Sequence, residues 1–382
     1  MIDQILQSAN QELFDDATSL MAAIEKARVF PELRPYQVWL AERLGDIQAD
    51  ADDNLQVLSL GYPELIPEIL SRTQQLTQAM NLCNSRLAGP LLRIRESDQL
   101  SLRVLSWIHA KHQRTRDTPF AISDGEFASW PWPPNPALYF IPPTGQGGLR
   151  YQSLFFHEFG HLLYATQSTV LDAVVGDFQR SVESFLEPRF VRNDMRSDAE
   201  TQERRVIVET WYAWTQEFFC DAVGLLIGGP GFLYAFSTHL RLRGRGGFEP
   251  PHDKLPHSSH PPSGLRMRLL CHRIAQLGLR EHGEKMGTEW DAIAKALDAK
   301  PDYFGYYSDE FLESLTTTTD HMLTIVGPYH FASEELGRDE LQVQRWTPVY
   351  LVNRAWNLYH QDYKRYREWE PVAIDRFLGQ ER

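Results

Sequence analysis

The sequence predicts an α+β fold that is mainly helical, with a small sheet near the middle of the chain. Long segments carry apolar residues at helical spacing, and one central region has brief apolar segments between turn residues. Of the 382 residues, 42% are hydrophobic and 23% are charged, which is typical of a folded protein with a substantial core. The longest apolar segment, 222–236, is interrupted by glycine and proline, so no membrane-spanning helix is expected.

The N-terminal region, residues 1–88, is expected to be helical. Apolar residues recur near helical spacing and glycine or proline follows each segment, which predicts helices over 2–29, 36–59 and 64–87. Residues 1–60 hold eleven acids and four bases. Such a charge run is usually a solvated helix face. The alternative is that it docks on residues 241–280, which hold eight bases and two acids.

The middle of the chain changes character after residue 90. Short apolar or alternating segments predict a small, mostly antiparallel sheet with strands over 91–95, 100–105, 120–122 and 137–141. A loop rich in glycine, proline and histidine is expected over 242–264. The other segments predict helices over about 150–166, 168–187, 199–227, 264–279, 288–298, 308–325 and 347–368. The C-terminal region, residues 286–382, is therefore expected to be helical.

The segment with most chemical content is Leu-Phe-Phe-His-Glu-Phe-Gly-His-Leu-Leu, which contains His157-Glu158-x-x-His161. Residues i and i+4 lie on one helix face, about 5–6 Å apart at Cβ, so both histidines can direct a nitrogen at one Zn²⁺. Glu158 is one step around the helix, where it can take a proton from water without binding the metal. The alternative is two histidines with ordinary hydrogen bonds on a buried helix.

A third ligand must come from elsewhere, because Tyr164 and Gln167 stand where the longer metzincin motif requires glycine and histidine. Glu217 and Asp221 are again four residues apart, among aromatic residues that indicate a buried helix. Glu217 is the favoured zinc ligand, with Asp221 accepting a hydrogen bond from the outer nitrogen of a ligand histidine. The rival ligand is Glu183, which precedes a proline-terminated helix end.

A third segment, Ser-Ser-His260-Pro-Pro-Ser-Gly-Leu-Arg266, follows in a loop before a predicted helix. A histidine in this position can point into a cleft and donate a hydrogen bond to an oxyanion. Arg266 can orient Glu217 or bind a substrate backbone. The alternative is a solvated loop histidine and arginine.

Together, H-E-F-G-H, then E-x-x-x-D, then H-P-P-x-x-x-R resemble the gluzincin peptidases related to HtpX and the CAAX prenyl endopeptidases. The resemblance covers about 120–280 and implies a zincin-like metallopeptidase domain over 89–285. It implies that zinc is bound by the motif histidines and Glu217, that Glu158 is the general base, that Asp221 supports a ligand, and that His260 and Arg266 contact substrate or transition state. Many members of that family are embedded in membranes, whereas this chain has no predicted span.

These features predict a zinc-dependent peptidase, most consistent with a regulated endopeptidase acting on a peptide or protein substrate. The alternative is a catalytically silent or autoinhibited binding protein of the same fold, with a structural zinc. Residues 1–88 or the loop 242–264 are candidates for an intramolecular regulator. The net charge of −13 argues against a nucleic-acid partner. The N-terminus shows no secretory signal, so a cytoplasmic location is expected.

Overall fold

The computed structural model describes residues 2–131, 133, 135–142, 147–187, 198–242, 244–299, 303–336 and 346–380. Over these residues the protein is mainly helical with one small sheet, as the sequence predicts. Three long helices come first: α1 (Ile2–Lys26), α2 (Arg34–Ser59) and α3 (Ile66–Leu82). Buried amides and a hydroxyl tie them together, because Asn54 donates to Asn10 at 3.0 Å and Asn10 donates to Thr73 at 2.9 Å.

Two of the predicted strands do not form. In the segment 91–95 the first two residues belong to the short helix α4 (Gly89–Leu92) and 93–95 are irregular, and 100–105 lies within α5 (Asp98–Ala110). The apolar residues of α5 alternate at its start, but they also recur at intervals of four residues through Leu100, Val104 and Ile108, all of which are buried. The helical period continues over more residues than the alternation does, so the helix buries more apolar surface.

The sheet has three strands, β1 (Phe120–Asp124), β2 (Ala128–Trp130) and β3 (Ala137–Ile141), in the order β1-β3-β2. Strand β3 pairs with β1 in parallel and with β2 antiparallel. The expectation of a mostly antiparallel sheet is therefore wrong, because the longer of the two pairings is parallel. Because β3 is central, β2 is an edge strand, and it contacts the helix that follows the sheet.

That helix is α6 (Leu154–Ala165), followed by α7 (Ser168–Leu186) and the long α8 (Asp198–Arg241). Helix α8 extends well beyond the predicted end at 227. Gly229, at φ 58°, breaks its regular geometry just before Pro230, and the chain then continues as helix. Only glycine adopts this backbone conformation at low cost, so the Gly-Gly-Pro segment changes the direction of α8 without ending it.

The C-terminal part consists of helices joined by irregular segments. The predicted loop 242–264 is mostly irregular but includes the short α9 (Arg245–Phe248). The predicted helix 347–368 is two helices, since Asp362 caps the second through a hydrogen bond from the Arg365 amide. The remaining helices are α10 (Ser263–Gln276), α11 (Arg280–Ala296), α12 (Phe311–Val326), α13 (Pro348–Gln361) and α14 (Tyr363–Leu378).

One large hydrophobic cluster extends across the predicted boundary at residue 88. It contains Leu40 of α2, Tyr139 of β3, Phe159 of α6 and Val352 of α13, all fully or nearly fully buried. The N-terminal helices thus pack on the same core as the sheet and the C-terminal helices. The three predicted regions follow one another along the chain. That each of them is an independent domain stays a prediction.

Helix α8 is the one described segment that is long and apolar enough to cross a membrane, over Glu200–Arg241. Its most apolar window is 89% buried inside the protein. The apolar composition of α8 is therefore accounted for by its place in the core.

The basic segment 241–280 does not pair with the acidic N-terminal residues in the described part of the chain. Arg241 pairs with Glu289 at 2.6 Å, Arg268 with Asp309 at 3.1 Å, and Arg273 with Asp320 at 2.5 Å. These acids lie on α11, on α12 or just before α12. The positive charge of the segment is thus balanced locally.

Candidate metal centre

Helices α6 and α8 bring the two predicted motifs together because they pack at unusually short range. A Cβ atom added to Gly160 would lie 2.9 Å from the Cα of Cys220 and 3.1 Å from its Cβ. Any side chain at residue 160 would therefore separate the two helices. The glycine inside H-E-F-G-H is what allows the histidines of α6 to reach the acids of α8.

Three side chains converge at this contact. His157, His161 and Glu217 each offer one donor atom, and these atoms all lie within 4.8 Å of one another. Nε2 of His157 is 3.6 Å from one carboxylate oxygen of Glu217, and Nε2 of His161 is 3.4 Å from the other. His157 and Glu217 are buried, whereas the side chain of His161 is 26% exposed. The group is thus open to solvent on the His161 side.

The donors lie close enough together to be considered for one metal ion. One donor atom of each residue lies within 4.8 Å of the others, whereas zinc ligands at about 2.0–2.1 Å and tetrahedral angles lie about 3.3–3.4 Å apart. The distances of 3.6 and 3.4 Å end on different oxygens of Glu217, so a shared zinc ion requires a small adjustment of these side chains. Oε2 of Glu217 lies 3.1 Å from the Arg266 guanidinium without a hydrogen bond of good geometry.

Asp221 lies behind His157, as the sequence predicts. Its Oδ1 is 2.9 Å from Nδ1 of His157, so the proton of that imidazole belongs on Nδ1 and the lone pair of Nε2 faces Glu217. Burial would lower the pKa of His157, but hydrogen bonding and charge from Asp221, with the charges of Glu217 and Glu158, raise it overall. Burial lowers the pKa of His161 and favours its neutral form.

Arg266 holds the two acids of α8 in place. Its Nε and Nη2 donate to the two oxygens of Asp221 at 2.8 and 2.7 Å, and Nη2 lies 3.1 Å from Oε2 of Glu217. Burial alone would raise the pKa of both acids, but the guanidinium outweighs it and, with His157, lowers the pKa of Asp221 to about 2. Arg266 is only 2% exposed. Its placement matches the predicted role of orienting Glu217.

A small pocket of about 30 Å³ lies beside His157, one of the three donors. Glu158 lies in its wall beside His157, and both side chains are mostly buried. The hydroxyl of Ser129 on β2 donates to the backbone carbonyl of Glu158 at 3.2 Å, which fixes the edge strand against α6. The edge strand beside the pocket is β2. The complete lining is Phe127, Leu154, His157, Glu158, Phe236, His239, His260 and Arg266.

His260 lies at the rim of this pocket with half of its side chain exposed. Its Nε2 is 3.8 Å from Oε1 of Glu217, and its Nδ1 is 2.8 Å from the hydroxyl of Ser259. A hydrogen bond from Ser259 to Nδ1 leaves the proton on Nε2, the nitrogen that faces the donors. The sequence prediction of a loop histidine at the cleft agrees with this placement.

The structure groups Glu217, and not Glu183, with the two histidines. The Glu183 side chain is 54% exposed and pairs with Arg204 at 3.0 Å. Glu187 faces the same arginine at 3.7 Å. Both acids therefore belong to a surface pairing between α7 and α8.

Two residues of the site were missed by the sequence analysis. His239 lines the pocket, and it follows Asp221 by five turns of an ideal helix, a spacing that the break at Gly229 makes unreliable. Sγ of Cys220 lies 3.4 Å from Nδ1 of His161. Nothing in the sequence shows that Cys220 faces α6.

No protein-family model matches the chain, and no curated protein or solved structure matches it either. The resemblance to gluzincin peptidases therefore remains a sequence-based prediction that rests on the motif residues.

Proposed function

We propose that this protein is a zinc-dependent peptidase with a zincin-like core over residues 89–285. The observation that carries the proposal is the grouping of His157, His161 and Glu217 with one donor atom each within 4.8 Å of the others, and with Glu158 in the wall of the pocket beside His157. Two neutral imidazoles and one carboxylate form a common ligand set of catalytic zinc. The acid next to the first histidine is in the position that a general base requires.

A catalytic zinc fits better than a structural one. A structural zinc is held by four protein ligands, whereas a catalytic zinc keeps one position for water or substrate. Among the described residues the group of potential ligands has three members, and His260 is not one of them. The alternative of a silent, structural site is therefore the less favoured one.

The proposed reaction is hydrolysis of a peptide bond. A zinc ion held here would supply a Lewis acid that polarises the scissile carbonyl and lowers the pKa of water. Glu158 takes the proton of the attacking water at its carboxylate and gives it to the leaving amine. His260 donates a hydrogen bond from Nε2 to the oxyanion from the pocket rim. Arg266 and Asp221 do not react; they hold Glu217 and His157 in position.

An extended peptide is the substrate that suits the edge of the sheet. Strand β2 lies between β3 and the pocket side of α6, and its residues Ala128 and Trp130 are exposed. A peptide that adds to the outer edge of β2 would run past Glu158. Chain binding of this kind does not require a free terminus, which favours an endopeptidase. The loop that carries His260 forms part of the pocket rim and is the proposed point of control.

Metal analysis and peptide digestion test this function together. The wild-type protein is expected to contain one zinc per chain and to cleave members of a peptide library. Glu158→Gln should keep the zinc and lose turnover, because the amide cannot accept the proton. Glu183→Gln, a matched change at an exposed acid, should behave as wild type. An Glu158→Gln variant with full activity would refute the mechanism. A zinc with four protein ligands and no hydrolysis would establish the structural alternative.

A further inference from the structure

The two histidines of the proposed zinc site differ in what holds their outer nitrogens. Nδ1 of His157 meets the carboxylate of Asp221 at 2.9 Å. Nδ1 of His161 meets the thiol of Cys220 at 3.4 Å, within the range of hydrogen bonds to sulfur. Cys220 and Asp221 are consecutive residues of α8, so one turn of this helix contacts the outer side of both imidazoles.

The tautomer of His161 follows from its surroundings. Its Nε2 faces Oε1 of Glu217 at 3.4 Å, which is the metal side. A metal ion binds a nitrogen lone pair, so the single proton of the neutral ring must be on Nδ1. The only described partner at Nδ1 is the sulfur of Cys220, which is completely buried. The N–H group therefore donates to the sulfur, a weak but real acceptor.

We propose that Cys220 is a positioning residue, whose thiol sulfur accepts the Nδ1 proton of His161 and fixes the ring with Nε2 towards the metal. The inference rests on the proposed metal site and adds a residue to it. Outer partners of zinc-binding histidines are usually carboxylates, backbone carbonyls or water, and they raise the basicity of the ligand. A neutral thiol raises it less than Asp221 does. His161 is thus the more weakly supported ligand of the two.

The close contact between α6 and α8 limits the size of the side chain that fits at residue 220. A Cβ at Gly160 would lie 3.2 Å from its sulfur, so α6 leaves room for a side chain of this length only because residue 160 is glycine. Alanine at 220 would fit the space but would leave a buried N–H without an acceptor. Loss of an outer-shell partner typically costs about 10–100-fold in metal affinity. Because sulfur is a weak acceptor, the lower end, about tenfold, is expected here.

Zinc affinity of the full-length protein, measured by competition with a chromophoric chelator, tests the proposal. Cys220→Ala should weaken zinc binding about tenfold, and Cys220→Ser should recover part of the loss through its hydroxyl. Cys271→Ala is the matched control, since Cys271 lies on α10 and touches no proposed ligand; it should bind zinc as wild type does. The visible absorption of the Co²⁺-loaded proteins should shift for Cys220→Ala alone, which reports on the metal's own ligands.

Four outcomes decide against the proposal. Wild-type affinity in Cys220→Ala would show that the thiol does not support His161. An equal loss in Cys271→Ala, or equal affinities of the alanine and serine variants, would show that the change acts through packing. If the wild-type protein itself bound no zinc, the proposed function would fail first, and this inference with it. Wild-type binding with unaffected Cys220 variants would overturn the inference alone.

Discussion

Gly160→Ala is the sharpest test of how the site is assembled, because it adds one methyl group where α6 meets α8. The new Cβ would lie 2.9 Å from the Cα of Cys220. Carbon atoms that are not bonded pack at about 3.5–4.0 Å. The two backbones would therefore have to separate by about 0.6 Å or more, since a backbone atom cannot turn away as a side chain can.

This separation acts directly on the donors. Two different oxygens of Glu217 lie 3.6 and 3.4 Å from the two imidazole nitrogens, so these donors must already move slightly together to share one zinc ion. An added 0.6 Å, about the shift estimated from carbon packing, would place them beyond the reach of one zinc ion with normal bond lengths. Overpacking of this kind also costs about 1–3 kcal/mol of folding free energy. We expect Gly160→Ala to lose at least tenfold in zinc affinity and to unfold at lower urea concentration.

The assay measures zinc affinity by chelator competition and stability by urea denaturation of the zinc-free protein. Gly45→Ala is the control, because a Cβ at this position on α2 meets no atom within 4 Å. In a helix interior it should stabilise the protein by about 0.4–1 kcal/mol and leave zinc binding unchanged. A folded Gly160→Ala protein with wild-type zinc affinity would refute the role assigned to the α6–α8 contact.

Two further predictions concern stability. Arg266→Met should lower the free energy of unfolding of the zinc-free protein by about 3–5 kcal/mol, because it leaves Asp221 and Glu217 buried without their cation. Arg273→Met, whose partner is half exposed, should cost less than about 1 kcal/mol, and equal losses would contradict the argument. Burial lowers the pKa of His109 from 6.5 to about 3, so the unfolded chain binds a proton at this residue where the folded protein does not. Stability should therefore fall as the pH drops from about 6.5 towards 3, by about 1.4 kcal/mol per pH unit, and His109→Gln should show a shallower dependence in urea denaturation. Identical slopes would show that His109 is not responsible.

The long helices could be predicted because local signals agree with tertiary packing. Helices α1 to α3 are bounded by proline and glycine, and their apolar spacing matches the buried residues. The error at 100–105 has the opposite origin. Alternation over six residues is compatible with a strand and with the start of an amphipathic helix. The apolar residues that distinguish the helix, as far as Ile108, lie beyond the segment 100–105.

Some residues of the candidate site could also be predicted from local sequence, whereas others depend on packing between helices. His157, Glu158 and His161 could be predicted because one helix turn determines their relation. Glu217 and Asp221 could be predicted from their own spacing and apolar flanks, although only the packing of α6 on α8 shows that they face the histidines. The role proposed for Cys220 depends on the close approach of the α6 and α8 backbones at Gly160. No pattern within α8 contains that information.

The charge balance of the buried centre supports the proposed metal site. The acids Glu158, Glu217 and Asp221 lie together with one guanidinium, that of Arg266, and all four side chains are at most 7% exposed. Hydrogen bonding and charge from Asp221 raise the pKa of His157, so this imidazole can supply part of the compensating positive charge, whereas burial lowers the pKa of His161 and favours its neutral form. Burying carboxylates without enough counter-charge is costly. A divalent cation between the histidines and Glu217 would take the place of a proton on His157 and add positive charge among the acids, which is the electrostatic argument for the proposed metal site.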